Sequence, residues 1–170
     1  AATKSQSVRL GAGAVTLRAD ATYTAQPTIT RSDFNTFTYS ATGGAAYYVS
    51  TSSAAPTAGS SAASTTFALN TWTTATNTGD LTLSAGTTYY VWVKDVVTGG
   101  NVSTNKGTID VRTVTRSVGT GTQLTTKLEN SSGTAFTDSS KQVLDGTPIY
   151  AVATANTGYR NPIVTLSKGT

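Results

Sequence analysis

The sequence predicts an all-β fold, a β-sandwich joined to a smaller β domain, and three observations predict it. About a third of the 170 residues are Thr or Ser, and Gly is abundant. Thr favours strands, and Gly and Ser favour the turns between them. Apolar and polar residues alternate in short runs, and no segment carries the 3.6-residue apolar period of an amphipathic helix. The runs recur at regular spacing with turn residues between them, as in a sandwich. With 37% hydrophobic residues, the chain holds one medium domain or two small ones.

The elements follow in chain order. Ser7-Val8-Arg9-Leu10 and Ala14-Val15-Thr16-Leu17-Arg18-Ala19 read as two strands with no partner nearby in sequence. Val8 and Leu10 share one face, as do Val15 and Leu17, and those faces need an apolar groove to cover them. Phe34–Tyr39 starts a strand after the turn-like Arg31-Ser32-Asp33, and Ala46–Ser50 is a second. Residues 52–64 are Ser, Ala, Pro, Thr and Gly, a low-complexity loop. Thr65–Leu69 and Asp80–Leu83 read as short strands, Tyr89–Lys94 as the strongest one. Gly99-Gly100-Asn101 breaks it, and Gly107–Arg112 resumes.

The run Leu83-Ser84-Ala85-Gly86-Thr87-Thr88-Tyr89-Tyr90-Val91-Trp92-Val93 resembles the tyrosine corner of fibronectin type III and related bacterial immunoglobulin-like modules. There a Leu and a Gly-Thr turn lead into a Tyr whose hydroxyl bonds back to the backbone. The resemblance covers residues 21–113 and implies an immunoglobulin-like sandwich. It makes Leu83, Gly86 and Tyr89 the fold-defining corner, with Val91 and Val93 inward and Tyr90, Trp92 and Lys94 on the other face. Ala85 stands where the family usually has Pro, and Tyr39 where it usually has Trp.

Residues 114–170 change pattern. Thr113–Gly119 and Gln123–Leu128 read as strands. Leu144-Asp145-Gly146-Thr147 is a turn before a strand ending at Thr154, and Ala155–Tyr159 is a second turn. This order resembles small all-β repeat domains of bacterial surface proteins, which continue with two or three further strands. Here one follows, at 158–166, and residues 6–19 look like the missing ones. The expected organisation is therefore a donor-type strand segment at 1–20, a sandwich at 21–113 and a small β domain at 114–170. The N-terminal strand would complete the small domain, supplied by a neighbouring copy or repeat or by the same chain. Head-to-tail contacts that do not close generate filaments.

Composition removes many chemistries. The absence of Cys removes disulfides, thiol chemistry and Cys-based metal sites. The absence of His removes an imidazole base and Ser-His-Asp machinery. The eight acids mostly sit beside Gly, Ser, Thr or Asn, where Asp caps its own backbone. Asp33 with Asn35 and Asp95 with Asn101 come nearest a calcium pattern, without a dense Asp-x-Asp-x-Asp run. The expectation is a non-enzyme with no cofactor and no metal. The net charge is +4 and charged residues are 12%, about half the usual ~25%. The basic residues form no stripe, so nucleic acid is not an expected partner. No apolar run approaches the ~20 residues that span a bilayer.

Three further features carry weaker signals. Lys94 and Lys127 are the lysines for a self-catalysed amide crosslink, without an identifiable partner. Asn101-Val102-Ser103 and Asn130-Ser131-Ser132 match the N-glycosylation acceptor pattern. Tyr90 and Trp92, with Tyr47 or Tyr48 on a neighbouring strand, make either a sugar-stacking strip or a packed interface. The chain lacks Met, and a secretory signal removed before Ala1-Ala2 fits, as does a fragment of a longer chain. The expected function is a secreted or cell-surface structural protein, one unit of a filament or stalk. Its partners would be copies of itself, joined through Val8, Leu10, Val15 and Leu17. The alternatives are a glycan- or host-binding adhesin module using Tyr90 and Trp92, and a spacer of a secreted enzyme.

Overall fold

The computed structural model describes residues 22–119, 123–136, 140–160, 163 and 165, and over these residues the protein is all-β. The donor-type segment at 1–20, with Val8, Leu10, Val15 and Leu17, lies outside the described residues. In chain order the strands are β1 (Thr28–Arg31), β2 (Phe37–Ser40), β3 (Ala46–Ser50), β4 (Trp72–Thr73) and β5 (Thr88–Lys94). They continue with β6 (Gly107–Thr115), β7 (Leu124–Glu129), β8 (Ala135–Phe136), β9 (Ser140–Leu144) and β10 (Tyr150–Ala155).

Three antiparallel sheets result: β1-β2, β4-β3-β5-β6-β9, and β10-β7-β8. The main core lies between the first two. Phe37 and Tyr39 of β2 pack against Tyr47 and Val49 of β3, Tyr89, Val91 and Val93 of β5, and Ile109 and Val111 of β6. Strict alternation along β3 and β5 places these side chains on one face, which is why the strands pair at Tyr47↔Val93 and Val49↔Val91. Gly107 opens β6 where the sheets come closest. A side chain there would sit 2.8 Å from the Pro27 carbonyl oxygen, so only glycine lets the β1 approach this close.

A second core joins Phe34, Leu128, Phe136 and Val143, with Val114, Ile149 and Ala151 half-buried against it. The two cores share a wall. β9 pairs with β6 from Val111↔Leu144 to Thr115↔Ser140, and adjacent β9 residues split between the cores, Leu144 to the first and Val143 to the second. The boundary expected between 113 and 114 falls inside β6, because one long strand serves both cores.

Several elements differ from the sequence reading. Residues 65–69 form no strand; the sheet edge is the two-residue β4, and Ser64 makes an isolated bridge to Thr73. Residues 80–83 are not a strand either. The segment runs beside β2 irregularly, with the amides of Thr78 and Leu81 donating to Phe37 and Asn35 carbonyls at 3.1 Å each. Gly79, with φ of 61°, turns the chain out of the ladder between them. The sequence carries little sign of β1, because Thr-Ile-Thr-Arg offers a single apolar residue, half-buried against the core.

Candidate functional site

The corner residues come together at the base of β5. Ser84 and Thr87 close a turn at 3.2 Å, and Gly86 takes its left-handed position with φ of 74°. Leu83 packs against the main core. Tyr89 is buried, and its hydroxyl donates to the Thr82 carbonyl at 3.3 Å. Burial raises its pKa above the ordinary 10.0.

The outer face of the five-stranded sheet carries a row of aromatic residues. Tyr48 of β3 is in register with Trp72 of β4 on one side and Trp92 of β5 on the other. Tyr48 and Trp72 lie 5.4 Å apart, tilted by 55°. Two cations press on the row. Lys94 Nζ lies 4.7 Å from the Trp72 ring. Lys106 Nζ lies 4.7 Å from the Tyr90 ring and 5.1 Å from that of Trp92. Such contacts contribute about 0.5–2 kcal/mol each, most where water is excluded.

The loop after β3 is strapped across this face by its own carbonyls. Lys106 Nζ donates to Ser53 at 2.6 Å, Trp72 Nε1 to Thr57 at 2.8 Å, and Lys94 Nζ to Ala58 at 2.7 Å. The Gly99 amide donates to Gly59 at 2.9 Å. Trp92 is consequently buried at 5% exposure, and Lys94 is fully buried. Burial lowers the Lys94 pKa below 10.5. Of the two residues expected to make a ligand face, Tyr90 is half-buried and Trp92 is covered. Sequence alternation put them on the correct face. It did not reveal that a low-complexity loop lies over them, nor that Trp72 joins the row.

The third sheet presents a different surface. It ends on β10, which has no strand partner on its far side among the described residues. Beside β10 is a hollow of about 300 Å³ lined by Val114, Leu128, Ile149, Ala151 and Ile163 together with Arg116, Lys127 and several hydroxyl side chains. Tyr150 is 52% exposed and Ile163 is 87% exposed.

No protein-family model matches the chain, nor does any curated protein or solved structure.

Asp33, Asp95 and Asp80 are already hydrogen-bonded within the protein. Asp33 Oδ1 accepts the Phe34 amide at 2.7 Å and the Asn130 side-chain amide. Asp95 accepts from the Asn101 amide at 2.8 Å and from its side chain at 3.2 Å. Asp80 accepts the Thr36 hydroxyl at 3.0 Å. Asn130, one of the two glycosylation-pattern asparagines, is only 4% exposed. Its side chain is committed to Asp33 and to the Ser132 and Thr134 amides.

Proposed function

We propose that this protein is an extracellular structural unit, an immunoglobulin-like sandwich fused to a small β region, whose copies join by strand addition. The observation that carries the reading is β10: a six-residue strand with no partner on its far side among the described residues, beside a hollow of mixed lining in which Val114, Leu128, Ile149, Ala151 and Ile163 supply the apolar part. An unpaired edge is a template for another strand, and an adjacent groove takes alternate side chains of that strand. The N-terminal segment has the matching pattern, with Val8 and Leu10, then Val15 and Leu17, alternating with polar residues.

The magnitudes make such a joint plausible only as a combined effect. Four apolar side chains contribute about 1.5–3 kcal/mol each when fully buried. Association costs about 4–15 kcal/mol. Side chains alone roughly break even, so the backbone ladder on β10 decides whether the joint holds. The immunoglobulin-like assignment of residues 21–113 is supported by the Tyr89–Thr82 hydrogen bond and the left-handed turn at Gly86.

The test is assembly of the whole chain, followed by light scattering across a concentration series and by negative-stain imaging. Wild type should form elongated polymers. Val15→Asp with Leu17→Asp should remain monomeric while its melting transition stays cooperative. Ala151→Glu, which puts a charge in the hollow, should do the same. Monomers of wild type at every concentration, or unchanged polymers in both variants, refute the proposal.

A further inference from the structure

We propose that the cleft between the outer face of β3-β4 and the chain at 56–64 is a binding subsite for an uncharged saccharide. The cleft holds about 620 Å³, within the range of about 300–1,000 Å³ typical of ligand sites. Trp72 and Tyr48 line it, together with Ser60, Ser61 and Asn70. This combination matches a polyhydroxylated ring: aromatic surfaces take its apolar C–H face, and hydroxyls and amides take its edge.

Four features favour this ligand class. First, the cleft lining contains no Asp, Glu, Lys or Arg, so it suits a neutral ligand. The other open cleft of similar kind, beside Phe34, includes Asp33, Asp80 and Lys141, and its acids already accept hydrogen bonds from Phe34, Asn130 and Thr36. Second, the aromatic pair is pre-positioned. The Trp72 indole is held by its bond to Thr57 and by Lys94 against its ring, so little conformational freedom is lost on binding. Third, the side chains of Ser60, Ser61 and Asn70 make no hydrogen bonds among the described residues, leaving their donors and acceptors available. Fourth, Asn70 has φ of 59°, the one left-handed non-glycine residue among those described. Its amide donates to the Val49 carbonyl at 2.9 Å, which fixes the turn at the cleft mouth. Asparagine adopts this conformation readily in turns, so the cleft mouth is held without strain. Proline-rich peptides also dock on aromatic grooves, but proline offers no N–H donor, so uncommitted hydroxyls and an amide that both donate and accept favour the saccharide.

This site is separate from the β10 edge, so its test is independent of assembly. The whole chain is titrated with cellohexaose, maltohexaose and chitohexaose, with a charged heparin hexasaccharide and a proline decamer as comparators. The readout is fluorescence of the two tryptophans, backed by calorimetry. At least one neutral hexasaccharide should bind, with affinity about tenfold lower in Trp72→Ala, the scale expected for losing one aromatic contact. Trp72→Ala also removes the Thr57 tether, so Ser61→Trp, which fills the cleft from an exposed position, and Ser60→Ala with Ser61→Ala provide a second arm. Both should weaken binding while leaving the melting temperature unchanged. Failure of all three neutral sugars at millimolar concentration overturns the proposal. So does binding that survives both arms, or preference for the proline decamer or the heparin fragment.

Discussion

Replacing Tyr39 with Phe should stabilise the protein. Tyr39 is 2% exposed, and its hydroxyl has no hydrogen-bond partner among the described residues. Its ring lies 6.0 Å from Phe37 and 5.0 Å from Tyr47, and Phe keeps both contacts. A buried hydroxyl without a partner costs about 1–3 kcal/mol. Removing the oxygen leaves a hole of about 10 Å³, a loss of about 0.2 kcal/mol. The first effect is the larger, so Tyr39→Phe should gain about 1–2 kcal/mol. That corresponds to a melting temperature higher by about 2–8 °C. In urea the midpoint should rise with an unchanged slope. The same hydroxyl has an alkaline signature. Burial, and after it the neighbouring Tyr47, raise its pKa above the ordinary 10.0. The folded protein keeps a proton that the unfolded chain releases, so stability is intact below pH 10 and falls as pH rises beyond it. One such group contributes a slope of up to about 1.4 kcal/mol per pH unit. Tyr89 and Tyr23 are also raised, so the variant should show a shallower decline rather than none. A Tyr39→Phe protein less stable than wild type at pH 7 by about 1 kcal/mol or more refutes the reasoning, as does an unchanged alkaline slope.

Two further substitutions test the strap and the junction. Lys94→Met removes a fully buried cation with no ion-pair partner among the described residues. Because buried charges are costly, global stability should stay level or rise by up to about 2 kcal/mol, while hydrogen exchange and proteolysis across residues 52–62 accelerate. Wild type should also gain stability as pH climbs toward 10.5, where the unfolded lysine loses the proton that the folded one has already released; the variant should lack that rise. Asn130→Ala leaves the amides of Ser132 and Thr134 without their acceptor and frees Asp33 from the β7–β8 hairpin. It should lower stability by about 2–3 kcal/mol, read from urea unfolding, and a change below about 0.5 kcal/mol would contradict the role assigned to it.

Much of the main sandwich was legible from alternation. β2, β3, β5 and the start of β6 overlap the runs read at 34–39, 46–50, 89–94 and 107–112, β2 starting three residues later than its run. Alternation sufficed there because each strand buries one face against a single core. It failed at 65–69 and 80–83, where local propensity favours a strand but the neighbouring edge is met through isolated bonds and a left-handed glycine. The candidate sites were less legible. Trp72 stands in a two-residue strand, too short to show a period. Its partner Tyr48 is identified only by register with β4 and β5.

From the sequence alone follow the all-β class, the absence of thiol and imidazole chemistry, and which side chains share a face, since a period of two residues is a local property of an extended chain. Only the tertiary structure decided what covers each face. It buried Trp92 and Lys94 beneath a loop about forty residues earlier in the chain, and it threaded β9 beside β6 so that two cores share one sheet. Those outcomes depend on contacts between segments far apart in sequence, and no local pattern of apolar and polar residues records them.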